Sequence, residues 1–223
     1  MNATQSKGSI MVFVRAPIPG KTKTRLIPAL GKKGAARLHA SLIEQTLYRI
    51  QSVDDVNITL WCTPSTEDSY LQACAERYGI ALKAQSGQDL GSRMQHAFET
   101  TLRSAPWTII LGTDCPDLET CDVQQAIDAM HNGADAVAGP AFDGGYYLLG
   151  LRRTSASLFR QMPWGTENVW EITRNRMEQL SWNYTTTTWH HDLDRPEDLE
   201  NFPNLPDFLH NIHEQHEKQK KSV

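Results

Sequence analysis

An acidic residue that directly follows an apolar run is the first candidate for chemistry in this sequence. Residues 107–111 are rich in Ile and Leu and are typical of a strand buried on both faces, and Asp114 comes three residues after them. Pro116 prevents the strand from continuing. A carboxylate at the carboxyl end of such a strand lies where open α/β sheets bind ligands, and it suits Mg²⁺. Because Asp also favours turns, a simple turn-forming role for Asp114 remains an alternative.

A loop rich in cations follows the first predicted strand. Residues 15–31 contain three prolines, two glycines and four basic residues, so we expect little helix or strand in most of this loop. Lys23 offers a mobile point charge, whereas Arg25 offers a planar fork that can bind two phosphate oxygens. The spacing of a Walker A loop is absent. The pattern therefore indicates either a polyphosphate-binding loop or a solvated charged loop.

A second acidic cluster, with Asp192 and Asp194, follows the last predicted strand. An acid three residues after Asp194 is typical of a helix start, so capping could explain Asp194, but it does not explain Asp192. His190 and His191 could ligate a soft metal. However, adjacent residues at the end of a strand point to opposite faces, so we do not expect a zinc site.

Three further loops carry polar residues or glycines. Residues 86–94 lie between a strand and a helix N-terminus, which attracts phosphates and other anions. Residues 139–150 contain a tight Asp-Gly-Gly turn that leads into a strand, and its glycines suit either a hairpin or the close approach of a ligand. Residues 162–168 form an irregular loop before the last predicted helix.

The elements that position these loops alternate between strand and helix. The predicted strands are 10–14, 56–62, 80–85, 107–111, 134–138, a strand that begins at 146, and 182–189. The predicted helices are 32–52, 66–78, one that opens within 86–94, 122–132 and 169–180. This order predicts an α/β fold with a mostly parallel sheet and helices on both faces. Right-handed crossovers would then bring the loops to one edge and form a single nucleotide-binding cleft.

Length and composition limit the function classes. The chain has 223 residues, which is one large domain or at most two small ones. A net charge of -4 provides no overall positive field for nucleic acid or an anionic membrane. The four cysteines form no CxxC pair, so we expect reduced thiols. The N-terminus lacks the apolar core of a signal peptide and no apolar run approaches ~20 residues, so we expect a cytoplasmic protein without a membrane span.

Six stretches of the sequence, taken together and in order, carry a family resemblance. They lie within residues 13–25, 87–94, 111–118, 139–150, 164–166 and 192–199. The set resembles the motifs of the DUF2064 group of GT-A-type transferases, which are labelled glycosyltransferases associated with radical-SAM and selenium-domain proteins. It is also similar to the 2-phospho-L-lactate guanylyltransferases and, more remotely, to the molybdenum cofactor guanylyltransferases. The resemblance covers about residues 10–202. Arg195 departs from it, because Thr is more usual before Pro-Glu-Asp, and a helix-capping role at this position is weakened.

The resemblance implies a three-layer α/β/α GT-A fold, similar to that of nucleotide-diphospho-sugar transferases, and a set of site residues. We expect a single domain over residues 1–223, with flexible tails at 1–8 and 217–223 and a polar surface around His210 and His213. The implied catalytic residues are Lys23, Arg25 and Asp114. The implied nucleotide-binding residues are Arg15, Lys23, Arg25, Asp89, Gly91, Arg93 and Thr113. The implied acceptor-binding residues are Asp143, Gly144, Gly145, Tyr146, Trp164 and Thr166. The implied ligands of Mg²⁺ or Mn²⁺ are Asp114, Asp192 and Asp194.

Two enzyme reactions fit these assignments. In the first, a sugar moves from a nucleoside diphosphate sugar to a small-molecule acceptor. In the second, a nucleotidyl group moves from a nucleoside triphosphate to a phosphorylated small molecule, with release of pyrophosphate. Both depend on positioning and on charge neutralisation at phosphate oxygens. The basic loop favours the second reaction and the family label favours the first. A nucleotide-binding module without turnover is a third interpretation.

Overall fold

The structure is a computed structural model that describes residues 7–203, and it contains a seven-stranded sheet between two layers of helices. The strands are β1 (Gly8–Arg15), β2 (Val56–Thr63), β3 (Ala81–Ala84), β4 (Thr108–Leu111), β5 (Ala136–Pro140), β6 (Tyr146–Leu151) and β7 (Tyr184–Thr186). The helices are α1 (Ile27–Ile50), α2 (Ser69–Tyr78), α3 (Leu90–Thr101), α4 (Thr120–His131) and α5 (Val169–Gln179). Short 3₁₀ turns cover Thr24–Leu26, Ala156–Leu158 and Pro196–Asn201.

The sheet has the strand order β3-β2-β1-β4-β6-β5-β7. The pairs among β1, β2, β3 and β4 are parallel, and β7 is parallel to β5, whereas β6 is antiparallel to both β4 and β5. The predicted α/β class with a mostly parallel sheet is therefore confirmed. The last strand is shorter than the predicted range 182–189, because the chain leaves regular pairing after Thr186 and touches the sheet again only at a bridge between Ala141 and His190.

Alternation along β1 assigns the helices to the two faces. Ile10, Val12 and Val14 contribute to a core with α1, α2 and α4, whereas Met11 contributes to a core with α3 and α5. All four residues of β4 are buried, as expected for a strand covered on both sides. The predicted three-layer arrangement is thus confirmed, and it brings the loops after β1, β4 and β5 to one edge of the sheet.

A third, smaller apolar cluster attaches the C-terminal acidic loop to the rest of the molecule. Leu193, fully buried, packs with Leu26 and with Leu38 and Leu42 of α1. Leu193 is also the residue between the two predicted metal ligands, Asp192 and Asp194. Burial of this one apolar side chain therefore determines where the two carboxylates lie.

The start of the described chain differs from the predicted tail. Gly8 was expected in a flexible segment, but it already belongs to β1 and pairs with Val56. A side chain at this position would overlap the ring of Trp107, since a Cβ would lie 2.1 Å from it. The remaining predicted tail residues and the polar segment from His210 lie outside the described residues.

Two further observations concern the thiols and the helices. Cys62, Cys74, Cys115 and Cys121 are all free thiols. Within residues 7–203, no helix combines the length and the apolar character needed to cross a bilayer.

Candidate functional site

Lys23 joins three segments that are far apart in the sequence. Its Nζ lies 2.7 Å from Asp114 Oδ1 and 3.6 Å from Asp194 Oδ1. It also donates a hydrogen bond of 2.7 Å to the carbonyl oxygen of Leu193. The side chain of Lys23 is only 3% exposed. The basic loop, the end of β4 and the C-terminal acidic loop therefore meet at one ammonium group.

Local structure in the basic loop directs Lys23 inward. The residue has a left-handed backbone with φ 48° and ψ 45°, which is uncommon for a residue other than glycine. Thr22 Oγ1 donates a hydrogen bond of 2.8 Å to the carbonyl oxygen of Ala16, so the loop folds back on the end of β1. The opposite wall is held by a hydrogen bond of 2.8 Å from the Leu193 N–H to the Asp114 carbonyl oxygen.

The charges at this junction stabilise one another. Burial alone would lower the pKa of the Lys23 ammonium, but the Asp114 carboxylate outweighs it and the pKa is raised above its ordinary value. Burial would likewise raise the pKa of Asp114, yet the Lys23 ammonium outweighs it, with a smaller contribution from Arg15, and holds that pKa below its ordinary value. Both groups are therefore charged at neutral pH.

Arg25 and Asp194 form a second ion pair beside the first. Arg25 NH1 lies 2.6 Å from Asp194 Oδ2, and the Arg25 side chain is 55% exposed. The capping role considered for Asp194 belongs instead to Asp198, whose carboxylate accepts hydrogen bonds from the N–H groups of Asp194 and Arg195. Asp194 as a metal ligand and Arg25 as a phosphate ligand remain predictions, and in this structure each binds the other.

Asp192 lies in a different environment from Asp194. Its Oδ1 accepts a hydrogen bond of 2.7 Å from the thiol of Cys115. Burial, together with the negative charges of Asp114 and Asp143, raises the pKa of Asp192 to about 7. No ion pair among residues 7–203 includes the Asp192 carboxylate. Of the three predicted metal ligands, Asp114 and Asp194 therefore face cations in the described structure and Asp192 does not.

A cleft of about 600 Å³ lies in front of this junction, a size suited to a small-molecule ligand. Eleven predicted site residues line it: Arg15, Asp89, Arg93, Thr113, Asp114, Asp143, Gly145, Tyr146, Trp164, Thr166 and Asp192. Lys23, Arg25 and Asp194 are not among its lining residues, because they lie behind Asp114. The structure therefore brings most of the predicted nucleotide, acceptor and metal residues to one cavity.

Two predicted ligand-binding glycines make close contacts within the protein. A Cβ on Gly91 would lie 2.8 Å from the Phe159 carbonyl oxygen and from Trp164 Nε1. A Cβ on Gly144 would lie 2.0 Å from the Glu167 carbonyl oxygen, and Gly144 has φ +86°. Neither glycine lines the cleft. In this structure the groups that approach these glycines belong to the protein itself, including the Trp164 side chain at Gly91, and a ligand-binding role for the two glycines remains a prediction.

The Asp89 carboxylate caps the N-terminus of α3. Its Oδ1 accepts a hydrogen bond of 2.7 Å from the Ser92 N–H, and this bonding lowers the pKa of Asp89. Arg93 Nε donates a hydrogen bond of 3.0 Å to the Gly87 carbonyl oxygen. The loop before α3 is thus ordered at the cleft by its own residues.

Three residues of the site carried no signal in the sequence. Cys115 holds Asp192, and Gln85 lines the cleft while its amide donates to the carbonyl oxygens of Val14 and Trp61. His39 lies in the middle of α1, where a lone histidine gives no periodic or motif signal. Of these three residues, only Cys115 had a position that could have suggested a role, because it directly follows Asp114.

His39 presents an unsatisfied nitrogen to the predicted metal anchor. Its Nε2 lies 3.0 Å from the Arg15 carbonyl oxygen, which can only accept, so Nε2 carries the proton. Burial lowers the pKa of His39, so the ring is neutral. Its buried Nδ1 has no hydrogen-bond partner in the described structure and lies 3.8 Å from Asp114 Oδ1. A lone pair beside a carboxylate favours a water molecule or a cation at this point.

The donor set fits a divalent metal that shares its coordination with a ligand. Asp114 and Asp192 both line the cleft and repel each other, and their oxygens are the donors that Mg²⁺ and Mn²⁺ prefer. The described residues contain no group of three or more His, Cys, Asp or Glu side chains arranged around one metal position. Two carboxylates are nevertheless enough for Mg²⁺, which normally keeps waters and binds substrate phosphates.

The chain is similar to known proteins in sequence and in fold. A family model described as "Uncharacterized protein conserved in bacteria (DUF2064)" matches residues 46–166. No curated protein matches the chain at a significant level. A solved structure from Desulfovibrio desulfuricans, which carries the provisional name nucleotide-diphospho-sugar transferase, is 30% identical, with a TM-score of 0.79 over 87% of this chain and 85% of that one.

More distant structures share the fold. CMP:2-keto-3-deoxy-manno-octonic acid synthetase, solved with CTP, is 13% identical with a TM-score of 0.57 over 91% of this chain and 99% of that one. Glucosyl-3-phosphoglycerate synthase from Mycobacterium tuberculosis, solved with Mn²⁺ and UDP, is 11% identical with a TM-score of 0.56 over 93% of this chain and 80% of that one. These two likenesses concern the fold alone.

Proposed function

The chain belongs to the DUF2064 family, and we propose that it is a nucleotide-utilising transferase that moves a glycosyl group from a nucleoside diphosphate sugar to a small-molecule acceptor. One observation carries the proposal. Asp114 and Asp192 line a single cleft at the carboxyl edge of the sheet, directly in front of the buried Lys23 ammonium. The provisional name of the 30%-identical relative supports the same class of donor.

The acids have distinct tasks in this proposal. Asp114 and Asp192 would hold Mg²⁺ or Mn²⁺, which when bound neutralises charge on the leaving diphosphate. Lys23 keeps Asp114 ionised and fixes its orientation. Because the pKa of Asp192 is about 7, a cation arriving beside it would displace its proton and complete the binding site.

The nucleotide part of the donor would bind on the side of the cleft formed by the ends of β1 and β4. Arg15 and Arg93 line the cavity and supply cations for phosphate oxygens. Thr113, buried at the end of β4, lies beside Asp114 and would contact the same ligand. Arg25 and Asp194, paired behind Asp114, would hold the basic loop in place.

The acceptor half would be formed by the β5–β6 turn and the loop before α5. Asp143 and Tyr146 come from the turn, and Trp164 and Thr166 come from the loop. The Tyr146 and Trp164 rings meet edge to face with centroids 6.4 Å apart. Asp143 Oδ1 accepts a hydrogen bond of 2.8 Å from the Gly145 N–H, so its carboxylate is held in a defined position. It can accept a hydrogen bond from an acceptor hydroxyl.

Nucleotidyl transfer is the second candidate, and the cation content of the site favours it. A nucleoside triphosphate needs more positive charge than a diphosphate, and Arg15 and Arg93 line the cleft while Lys23 and Arg25 lie behind it. However, Lys23 and Arg25 already face carboxylates, which reduces the charge they can offer to phosphates. Glycosyl transfer therefore remains the leading proposal.

The experiment that tests the proposal is a thermal-shift panel followed by product analysis. Nucleoside triphosphates and nucleotide sugars are each added with and without Mg²⁺, since a ligand that binds the folded state raises the Tm. Glycosyl transfer predicts release of a nucleoside diphosphate, and nucleotidyl transfer predicts release of pyrophosphate. A Tm increase without either product would indicate a binding module, and no Mg²⁺-dependent Tm increase with any nucleotide would contradict both enzyme proposals.

A further inference from the structure

Cys115 is a core residue whose thiol contacts a predicted metal ligand. The residue is 4% exposed and belongs to the apolar cluster that includes β4 and α4. Its Sγ lies 2.7 Å from Asp192 Oδ1, although the two residues are 77 positions apart in the sequence. Burial and the neighbouring acids raise the pKa of the thiol, so it keeps its proton and donates to the carboxylate. A side chain fixed by core packing therefore sets the position of an acid at the cleft.

The thiol is the partner on which the orientation of the Asp192 carboxylate depends. Among residues 7–203, this carboxylate has no ion pair and accepts no hydrogen bond besides the one from Cys115. Oδ1 is occupied by the thiol, and Oδ2 has no partner within the described part of the chain. Because Asp192 lines the cleft, Oδ2 is the oxygen that is left for a ligand there.

Asp114 repeats this arrangement with a different partner. Its Oδ1 is buried and lies 2.7 Å from the Lys23 ammonium. The Asp114 side chain is nevertheless 45% exposed, so its exposed oxygen is Oδ2. The two acids that line the cleft thus each have one oxygen bound by the protein and one oxygen available to a metal. Such a pair suits Mg²⁺ or Mn²⁺, which complete an octahedron with waters and phosphates, whereas Ca²⁺ takes more oxygens and often binds both oxygens of one carboxylate.

We propose that Cys115 is a positioning residue that restricts Asp192 to one metal-binding oxygen and thereby favours Mg²⁺ or Mn²⁺ over Ca²⁺. The thiol acts through Asp192 and does not touch the metal. A neutral S–H group orients the carboxylate without neutralising it, whereas a basic partner would compete with the metal for the same charge. This inference rests on the proposed function for the presence of a metal between Asp114 and Asp192.

Binding of the metal ion alone tests the proposal. The probe is Mn²⁺, whose free ion is measured by EPR, and Ca²⁺ is measured by competition. The site is defined as the Mn²⁺ binding that Asp114→Asn abolishes. Cys115→Ala should raise the Kd of Mn²⁺ by about 10- to 100-fold, the usual effect of removing a hydrogen bond that orients a metal ligand. The Kd of Ca²⁺ should change by less than about threefold, because Asp192 regains Oδ1 as a second ligand oxygen.

Two further variants separate the hydrogen bond from the packing of the thiol. Cys115→Ser keeps a donor at this position, so its Kd for Mn²⁺ should stay within about threefold of wild type. Cys62→Ala removes a buried thiol from the same apolar cluster, but this thiol donates to the Leu60 carbonyl oxygen and not to an acid. Cys62→Ala should lower the Tm about as much as Cys115→Ala does and leave both metal affinities unchanged. Cys115→Val, which fills the space without a donor, replaces the alanine variant if that variant does not fold.

Three results would overturn the proposal. The first is an equal Mn²⁺ affinity in Cys115→Ala and Cys62→Ala. The second is a parallel loss of Mn²⁺ and Ca²⁺ affinity in Cys115→Ala, which would leave no effect on selectivity. The third is a loss in Cys115→Ser as large as that in Cys115→Ala, because the donor would then be irrelevant.

The same measurements distinguish a failure of this inference from a failure of the proposed function. If the wild-type chain shows no Mn²⁺ binding that Asp114→Asn abolishes, the proposed metal site fails and the role of Cys115 fails with it. If the wild-type chain binds Mn²⁺ at this site and Cys115→Ala binds it equally well, only the positioning role fails and the proposed function stands.

Discussion

Asp192 and Asp194 belong to one short loop, yet they lie in opposite electrostatic environments. Asp194 faces two cations, with Arg25 NH1 at 2.6 Å and Lys23 Nζ at 3.6 Å. Asp192 faces a thiol and two other acids, and its pKa is raised to about 7. Buried Leu193 between them turns one carboxylate toward the basic loop and the other toward the cleft. Both carboxylate oxygens of Asp194 face cations, whereas among the described residues only Oδ1 of Asp114 does, so Asp194 has less to offer a metal although it lies close to the site.

The largest effect is expected at Asp114, which belongs to both environments. Asp114→Asn keeps the shape but removes the charge that both Lys23 and a metal need. We expect transfer activity to fall by roughly 1,000-fold, about 4 kcal/mol of transition-state stabilisation. Steady-state rates with Mg²⁺ give the measurement. Asp117→Asn, an exposed acid three residues further on, is the matched control and should change the rate less than about twofold. If Asp114→Asn lowered the rate only slightly, the ion pair between Asp114 and Lys23 would have no part in the reaction.

The next largest effect is a loss of stability at Lys23, the cation that Asp114 and Asp194 share. Lys23→Met keeps the apolar stem but leaves Asp114 and Asp194 without their shared ammonium. Removal of one partner of a buried ion pair costs about 3–5 kcal/mol, and because the Asp114 side chain is 45% exposed we expect about 2–4 kcal/mol. Urea unfolding measures the change, with exposed Lys21→Met as the control. A loss below about 1 kcal/mol would show that Lys23 does not hold the three segments together.

A pH-dependent effect on stability is expected at Asp192, whose carboxylate has no ion pair among the described residues. The pKa of Asp192 is raised from 3.8 to about 7, so between pH 4 and pH 7 the folded chain holds a proton that the unfolded chain releases. Stability from this residue is therefore present at low pH and is lost as the pH rises through this window. Asp192→Asn replaces the acid with an amide that does not titrate, so the variant should not lose this stability as the pH rises. Its Tm relative to wild type should increase from pH 4 to pH 8 in metal-free buffer, equivalent to about 1–2 kcal/mol after solvent screening.

The matched control for this pH series is Asp54→Asn, which changes an exposed acid remote from the cleft. Its Tm should follow the wild-type curve at every pH. If Asp192→Asn also followed the wild-type curve, the environment of Asp192 would not differ from that of an exposed acid, and the contrast with Asp194 would disappear.

The smallest effect on stability is expected at Arg25. Although Arg25 NH1 lies 2.6 Å from Asp194 Oδ2, the arginine side chain is 55% exposed, and exposed ion pairs contribute about 0–1 kcal/mol. Arg25→Ala should therefore lower the free energy of unfolding by less than about 1 kcal/mol, and the difference should shrink in high salt. Urea unfolding at two salt concentrations measures it. A loss as large as that of Lys23→Met would mean that both cations hold the junction equally.

The fold was largely accessible from the sequence. Strands β1 and β4 are continuous apolar runs, and such runs have few alternatives to a buried strand when Gly or Pro follows soon after. The alternation of strands and helices then requires crossovers of one hand, which bring Asp114 and the basic loop to the same edge. Of the predicted last strand, 182–189, only Tyr184–Thr186 pairs as a regular strand. The threonines there favour extended structure, but they do not require a partner strand.

The internal pairing of the site was not accessible from the sequence. Lys23 and Leu193 are separated by 170 positions, and no local pattern indicates that they will meet. Phosphate binding by Lys23 and Arg25 stays a prediction, but their carboxylate partners were not predicted because a sequence shows charges without their partners. The internal contacts of Gly91 and Gly144 were not predicted for a similar reason, since a glycine signals close approach but does not identify what approaches.

The reversed strand β6 has a consequence for how such a chain can change over evolutionary time. The turn before it closes on itself, since the Ala141 N–H bonds to the Gly145 carbonyl oxygen and the Gly144 N–H bonds to the Ala141 carbonyl oxygen. The pairing of β1 with β4 does not involve this turn, so substitutions at its exposed positions Phe142 and Asp143 would leave that register untouched. Under the proposed function, changes confined to this turn and to the loop before α5 would alter the acceptor side of the cleft while the β1 and β4 side stays the same.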